Sequence, residues 1–369
     1  VIFHLISLNP RNIIALFLKN VKGVSSLVKI QDIFLKSKMQ RKIWQEFLTD
    51  LNIINFSESE IDVIDETIGI FDEEKLLGTG SIARNVIKYV GTCNKDGNGA
   101  ARFNQILTAL EMRLMAKGIS HYFVFTKPEY QKSFEYVGFQ LLADSKFGVL
   151  MEKGKPNIQD FLSKFDRGNE KQKNASIVMN ANPFTFGHRY LVEMAAAENN
   201  WVYVFVVSED KSLFTFDERF ELVKKGLSDL TNVTILLTSD YLVSHATFPA
   251  YFIKNSEDIV TYQTSLDARL FKKWFVPYFN ISVRYLGEEP LSSTTEHYNQ
   301  ALKNELEPEV TVKIIPRKKF GNTVISATTV RENIKNNTVA EILPRVPETT
   351  YNYILSNLTA IRERTKNGN

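Results

Sequence analysis

Cysteine is almost missing from this sequence: Cys93 stands alone among 369 residues. One thiol can close no disulfide within the chain and supplies no CxxC pair. A disulfide framework and a cysteine zinc site are therefore excluded, no metal ligand is assigned, and a reducing cytoplasmic setting is the simplest expectation. Charge of one sign is lacking too. Lys and Arg number 45 against 42 Asp and Glu, a formal net charge of +3, and the lysines are scattered rather than gathered in blocks. No nucleic-acid partner is expected from such a balance. Long apolar runs are also missing: "VIFHLISLNPRNIIALFLKN" is interrupted by Asn9, Pro10, Arg11 and Asn12. The uninterrupted pieces fall short of the roughly 20 residues a bilayer span requires, so no membrane helix is expected. What is there is ordinary for a globular chain, 44% hydrophobic and 24% charged, in a length that suggests two domains.

Patterning sets the divisions. Residues 1–40 read as an extension, or as a helix packed on the first domain. Residues 41–153 read as an α+β domain, in which "IDVIDETIGIFDEEKLLGTGSIARNVIKYVGT" alternates as a hairpin or meander with its bend at "DEEK". "AARFNQILTALEMRLMAKG" places Phe103, Ile106, Leu107, Leu110 and Leu114 at helical spacing and stops on Gly118. Residues 154–174 are polar, with Pro156 and Gly168, and read as a connection that carries one helical piece near "IQDFLSKF". Residues 175–369 alternate strand and helix, the rhythm of an α/β domain with a Rossmann-like parallel sheet and helices on both faces. In such sheets ligands bind at the carboxyl ends of the strands.

The chemistry gathers where the first of those strands stops. In "MNANPFTFGHRYLVEMA" a strand ends near Asn180 and a helix begins near Gly187. Thr185 and His188, three apart, can face one ligand there, Gly187 permits a close phosphate, and the free N–H groups of a helix start favour an anion. A lone TxGH tetrapeptide is equally compatible with a histidine on a surface turn. Lys211 lies in "SEDKSLFTFDERFELV", where Asp217, Glu218 and Arg219 open the next helix; a solvated lysine and a capped helix start are the plain alternatives. "ISATTVRENI" sets Ser326 and Thr328 at another helix start with Arg331 one turn on, where the plain alternative is a Ser N-cap. One shared anion site accounts for all three together.

Those motifs resemble the nucleotidyltransferase superfamily that carries HxGH or TxGH and ISxTxxR-type signatures. The resemblance implies attack on the α-phosphate of a nucleoside triphosphate with loss of pyrophosphate. Thr185, His188 and Lys211 would then stabilise the α-phosphate, and Ser326, Thr328 and Arg331 would hold the β- and γ-phosphates, with ATP and Mg2+ as the implied cofactors. "IVMNANPFTFGHRYLVEMAA", "FVVSED", "SHATFPAYFIK", "LGEEP" and "YNQ" are more narrowly similar to the citrate lyase ligases, with Asn182 where many adenylyltransferases carry aspartate. That family implies acetate as substrate and the thiol prosthetic group of the citrate lyase acyl carrier subunit as acceptor, by way of acetyl-adenylate. Asn180, Asn182, Pro183, Phe184, Gly187 and Gly287 complete the implied nucleotide site, Gly287 through the "LGEEP" loop. His245, His297, Glu288 and Glu289 are given no role.

In the first domain "CNKDGNGAARFNQILTALE" with "FVFTKPEYQKSFEYVGFQLL" resembles the GNAT acetyltransferases, whose Gly-rich loop opens a helix and binds a pyrophosphate. Asn94, Gly97, Gly99 and Ala100 would hold a CoA-like carrier arm. Asn94 departs from the usual Gln or Arg, and Phe134 stands where many of those enzymes have a tyrosine general acid. A phenyl ring cannot give a proton to a leaving thiolate. The alternatives are an adenylyltransferase that leaves the nucleotide on a small phosphorylated acceptor, and a non-catalytic scaffold that grips a carrier protein.

Overall fold

The structure is a computed structural model that describes residues 29–167, 172–208, 212–242, 251, 253, 256–288 and 293–366. The chain separates into two compact units, Val1–Gly118 and Ile119–Asn369. In the first, β1 (Lys29–Asp32) pairs antiparallel with β2 (Glu66–Asp72), and β3 (Lys75–Ala83) and β4 (Val86–Thr92) continue the meander. The bend between β2 and β3 falls at "DEEK", with Glu73 in the left-handed region at φ 53°. Helix α1 (Lys38–Asp50) buries Trp44 and Leu48. Helix α2 (Gly99–Ala116) buries Ile106, Leu107, Leu110 and Leu114, one face of the expected period. Each such side chain contributes roughly 1.5–3 kcal/mol when fully buried. Gly80 lets α2 close on β3, since a Cβ there would sit 2.7 Å from the Leu110 methyl.

The second unit opens with β5 (His121–Thr126), β6 (Gln140–Asp144) and β7 (Val149–Gly154), antiparallel in the order β5-β7-β6. Phe134, on the helix Gln131–Tyr136, is a core residue whose ring meets Phe139 edge-on at 5.3 Å. The helical piece expected near "IQDFLSKF" forms at Ile158–Leu162, where Asn157 and Asp160 make a reciprocal capping box.

Then comes the parallel sheet, built from β8 (Asn174–Met179), β9 (Val202–Val206), β10 (Val233–Leu237), β11 (Ile281–Gly287) and β12 (Thr311–Ile315) in the order β10-β9-β8-β11-β12. Chain progress runs one way from β8 to β10 and the other way through β11 and β12, so the order reverses at β8. The carboxyl end of β8 therefore opens into the crevice that such sheets use for ligands. Along this stretch lie α3 (Phe186–Glu198), α4 (Phe216–Gly226), α5 (Ser256–Leu270), α6 (Ser293–Leu306) and α7 (Ala327–Lys335). All of β9 is buried, as a strand covered on both faces must be.

Polar side chains tie β5–β7 to this part of the unit. Glu152, 1% exposed, accepts from Tyr241 Oη at 2.8 Å and lies 2.7 Å from His121 Nε2, while Tyr251 donates to the Phe125 carbonyl at 2.7 Å. The carbonyls at the β6 bulge are taken by Lys273 Nζ at 2.8 Å and Trp274 Nε1 at 3.0 Å. No described helix is long and apolar enough to cross a membrane.

Candidate active site

Beyond β8 the backbone turns sharply, with Ala181 in the left-handed region at φ 50° and a cis bond between Asn182 and Pro183. Thr185 is extended and caps α3, its hydroxyl accepting the His188 N–H at 3.4 Å. The cap is reciprocal, because the Thr185 N–H donates to His188 Nδ1 at 3.1 Å and the Thr185 hydroxyl lies 2.9 Å from the same nitrogen. That bond assigns the tautomer: Nδ1 is the acceptor, so Nε2 carries the proton. Burial and the nearby guanidinium groups of Arg317 and Arg331 push the imidazole down to about 4. At neutral pH His188 is an uncharged N–H donor. Phe184, fully buried, stacks within 5.9 Å of the imidazole, and Gly226 makes room for it, since a Cβ there would lie 2.5 Å from the phenyl ring.

The second motif meets the first. Ser326 caps α7, accepting from the Thr329 N–H at 3.1 Å, and Arg331 donates to Thr328 Oγ1 at 3.0 Å. Arg331 also donates to the Asn182 carbonyl at 2.6 Å, across 149 positions of sequence. Gly187 confirms the approach from the other side, since a Cβ there would stand 3.3 Å from the Ile325 carbonyl oxygen. A side chain there would push the Ile325 backbone back by a few tenths of an ångström. Asn182 turns its side chain the other way, accepting the Phe214 N–H at 3.1 Å, and Asn180 donates to Ser212 Oγ at 3.3 Å. Thr185, His188, Ser326, Thr328 and Arg331 thus share one neighbourhood with Asn180, Asn182, Pro183, Phe184 and Gly187. Gly287 ends β11, and its carbonyl accepts from Asn299 at 3.3 Å. Lys211, His245 and the side chain of His297 lie outside the described residues.

Three cations with no role in the motif reading belong to this region. Arg317 follows β12 and donates from Nε to the Glu288 carbonyl at 2.7 Å, and burial pushes its guanidinium below the usual range, as it does for Arg331. Lys318 sits over the rings of Phe186 and Tyr190 at 5.7 and 5.6 Å. Arg219 is fully buried beneath the turn. The signal for Arg219 was present: it shares helical spacing with Leu222, Val223 and Gly226, all buried, so the period puts a charge on the core face. For Arg317 the clue was a run of three basic residues, Arg317, Lys318 and Lys319, just past a strand's carboxyl end.

The Gly-rich loop of the first unit is a different object. Gly97 has φ 78°, and Gly99 opens α2. Asn94 Oδ1 accepts the Gly99 N–H at 3.0 Å, and Asp96 Oδ1 accepts the Asn98 N–H at 3.2 Å. Arg102 grips Asp96, with one contact at 2.7 Å, and holds its carboxyl well below the ordinary range.

Two capped helix starts and the guanidinium groups of Arg317 and Arg331 meet at the switch point of a parallel sheet, the arrangement of an α/β domain with cationic side chains at the ligand-binding end of its strands. A family profile described as the citrate lyase ligase C-terminal domain matches residues 174–354. A citrate (pro-3S)-lyase ligase of Haemophilus influenzae is 36% identical over 298 residues, covering 78% of this chain and 88% of that one. One from Escherichia coli is 35% identical over 315 residues, covering 81% and 88%. The crystal structure of an N-acetyltransferase from Staphylococcus aureus is similar at 10% identity and a TM-score of 0.30, covering 36% of this chain and all of that one, 100%. The chain belongs to the citrate (pro-3S)-lyase ligase family.

Proposed function

We propose that the protein is an ATP-dependent acid–thiol ligase that acetylates the thiol prosthetic group of the citrate lyase acyl carrier subunit. A carboxylate oxygen of acetate attacks the α-phosphorus of ATP, the bond to the β-phosphate oxygen breaks, and pyrophosphate leaves. The carrier thiolate then attacks the acetyl carbonyl, AMP departs, and a thioester remains. In this reading His188 donates its Nε2 proton in a hydrogen bond to an α-phosphate oxygen without giving it up. A neutral donor whose other nitrogen is held by its own cap needs no reorganisation as charge builds on the transferring group. Thr185 and Lys211 share the α-phosphate, while Ser326, Thr328 and Arg331 take the β- and γ-phosphates, with Arg317 adding charge beside them. Gly287 lets the nucleoside approach β11.

Mg2+ fits as a passenger of the triphosphate, supplying charge neutralisation and a Lewis acid. Such ions are held mainly by substrate phosphates and water, and among the described residues no group of three or more His, Cys, Asp or Glu could cage one. The Asn94–Ala100 loop would receive the carrier arm, in an acetyltransferase-like domain that binds rather than acetylates an amine. The lone cysteine fits a cytoplasmic enzyme. The observation that supports the triphosphate reading most is the Arg331–Asn182 bond, which draws both phosphate motifs to one strand end. The test is acetate-dependent ATP–pyrophosphate exchange, which His188→Ala should abolish and Lys42→Ala, on an exposed helix face, should leave unchanged. Product analysis should find free AMP and an acyl-protein; a nucleotide left on a small acceptor would replace this reading with a plain adenylyltransferase.

A further inference from the structure

Lys318 is a cation that the chemistry above does not use. It stands between Arg317 and a two-stranded hairpin, Lys319–Phe320 against Thr323–Val324. Its backbone is tied to the second motif, because the Lys318 carbonyl accepts the Ile325 N–H at 3.0 Å, one residue before Ser326. Its side chain lies on the first motif, with Nζ 5.7 Å from the ring centre of Phe186 and 5.6 Å from that of Tyr190, both in the opening turns of α3. Ile325 is also the residue whose carbonyl faces Gly187, so Lys318, Ile325 and the start of α3 close on one another. Half-buried, Lys318 makes no ion pair among the described residues, and neither does Arg331, on which Glu332 acts only through space. An ammonium carries three N–H donors, and the face of a ring attracts it without supplying a lone pair. Arg317 and Arg331 both act on His188, so like charges converge where an anion would offset them.

We infer that Lys318 is a further phosphate-binding residue, one that holds the pyrophosphate half of ATP and meets the charge that develops on it as it leaves. The inference rests on the ATP chemistry proposed above. The tie to Ile325 assigns Lys318 to the side of the site that Ser326 serves. When the bond between the α-phosphorus and the β-phosphate oxygen breaks, its electron pair stays on that oxygen, and Nζ donates hydrogen bonds to the departing group without releasing a proton. Phe186 and Tyr190 steady a flexible stem, while the compact ammonium follows the phosphate through its change of shape. A lysine that merely packs on two rings would affect stability and leave pyrophosphate affinity alone.

The experiment uses the full chain and reads three constants, with Tm recorded for every variant: the KM for ATP in acetate-dependent exchange, and the Kd of inorganic pyrophosphate with Mg2+ and of AMP by calorimetric titration. Lys318→Met keeps the stem over the rings and removes the charge. It should raise the KM for ATP and the Kd of pyrophosphate about 10-fold each, as loss of one charge-assisted hydrogen bond predicts. The Kd of AMP, which lacks the β- and γ-phosphates, should change less than about twofold. Lys318→Arg should recover most of the loss, and Lys319→Met, one residue on and exposed, should match wild type. A labelling measurement on wild type carries the test if Lys318→Met does not fold. Saturating pyrophosphate should slow acetylation of Lys318 by an amine-reactive ester at least about fivefold and leave Lys319 unchanged, read by peptide mass mapping. Labelling that ignores pyrophosphate, equal losses of AMP and pyrophosphate affinity, or a change confined to Tm would overturn the inference. A wild-type protein with no acetate-dependent exchange would instead remove the ATP reading, and this inference with it.

Discussion

Two helices in this molecule begin at a glycine-bearing turn, and each caps an N–H with a side chain of its own, but the charges gathered around them differ in sign. At Gly99 the chain answers its own helix start: Asn94 accepts the first N–H, and Asp96, neutralised by Arg102, brings an internal carboxylate. At Phe186 the cap is made by a hydroxyl and a neutral imidazole, while the charges turned toward it, Arg317 and Arg331, are positive. The lesson is that a glycine turn before a helix says little about anions until the sign of the surrounding charge is known. One start carries a carboxylate beside its cap, whereas the other has two guanidinium groups near its cap.

The sharpest way to break the contrast is to remove the donor. His188→Gln should lower kcat for exchange about 100- to 1000-fold while leaving the binding of acyl carrier protein, measured by titration, unchanged. Next in size, Arg331→Met deletes a charge-assisted bond to the Asn182 carbonyl and should raise the KM for ATP about 10- to 100-fold, read from saturation curves at fixed acetate. At the other helix, Gly99→Val would drive a Cβ to 2.7 Å from Asn94 Oδ1. It should destabilise the protein by about 1–3 kcal/mol, seen as a lower Tm, and raise the apparent KM for the carrier while sparing exchange. A carrier KM that stays put would separate that loop from the carrier arm.

The pH dependence of stability comes next. His188 titrates near 4 in the folded protein and near 6.5 when unfolded, so the unfolded chain takes up a proton that the folded one refuses. Its contribution is complete above about pH 6.5 and is lost as pH falls toward about 4. The Tm of wild type should therefore drop more steeply than that of His188→Gln between those values. The smallest effect expected is at Asp96. Asp96→Asn removes the carboxylate from the Gly loop and should lower the carrier KM at most about fivefold, in keeping with an exposed ion pair, whereas a rise would assign the aspartate to binding.

Much of the fold was legible without coordinates. The alternation after residue 174, the period of Ile106, Leu110 and Leu114, and the Ser and Thr caps are local patterns, and local patterns survive into any tertiary arrangement. The TFGH and ISATT motifs were readable for the same reason. Their shared location was only an expectation, because strand order is a matter of which edges pair. Arg219 stands in the first turn of α4, as its place after Asp217 and Glu218 suggests, and its spacing with Leu222, Val223 and Gly226 also places it inward. Arg317 was passed over because its place beside His188 depends on β12 lying two strands from β8.

By itself, then, the sequence determined the elements, their caps and the residue types available for holding phosphate, since these depend on neighbours a few positions apart. Tertiary structure alone decided that Ile325 presses on Gly187, that Arg331 reaches Asn182, and that one imidazole among cations stays neutral. Those outcomes depend on burial and on charges distant in the chain, and both come into being only when the sheet closes around β8.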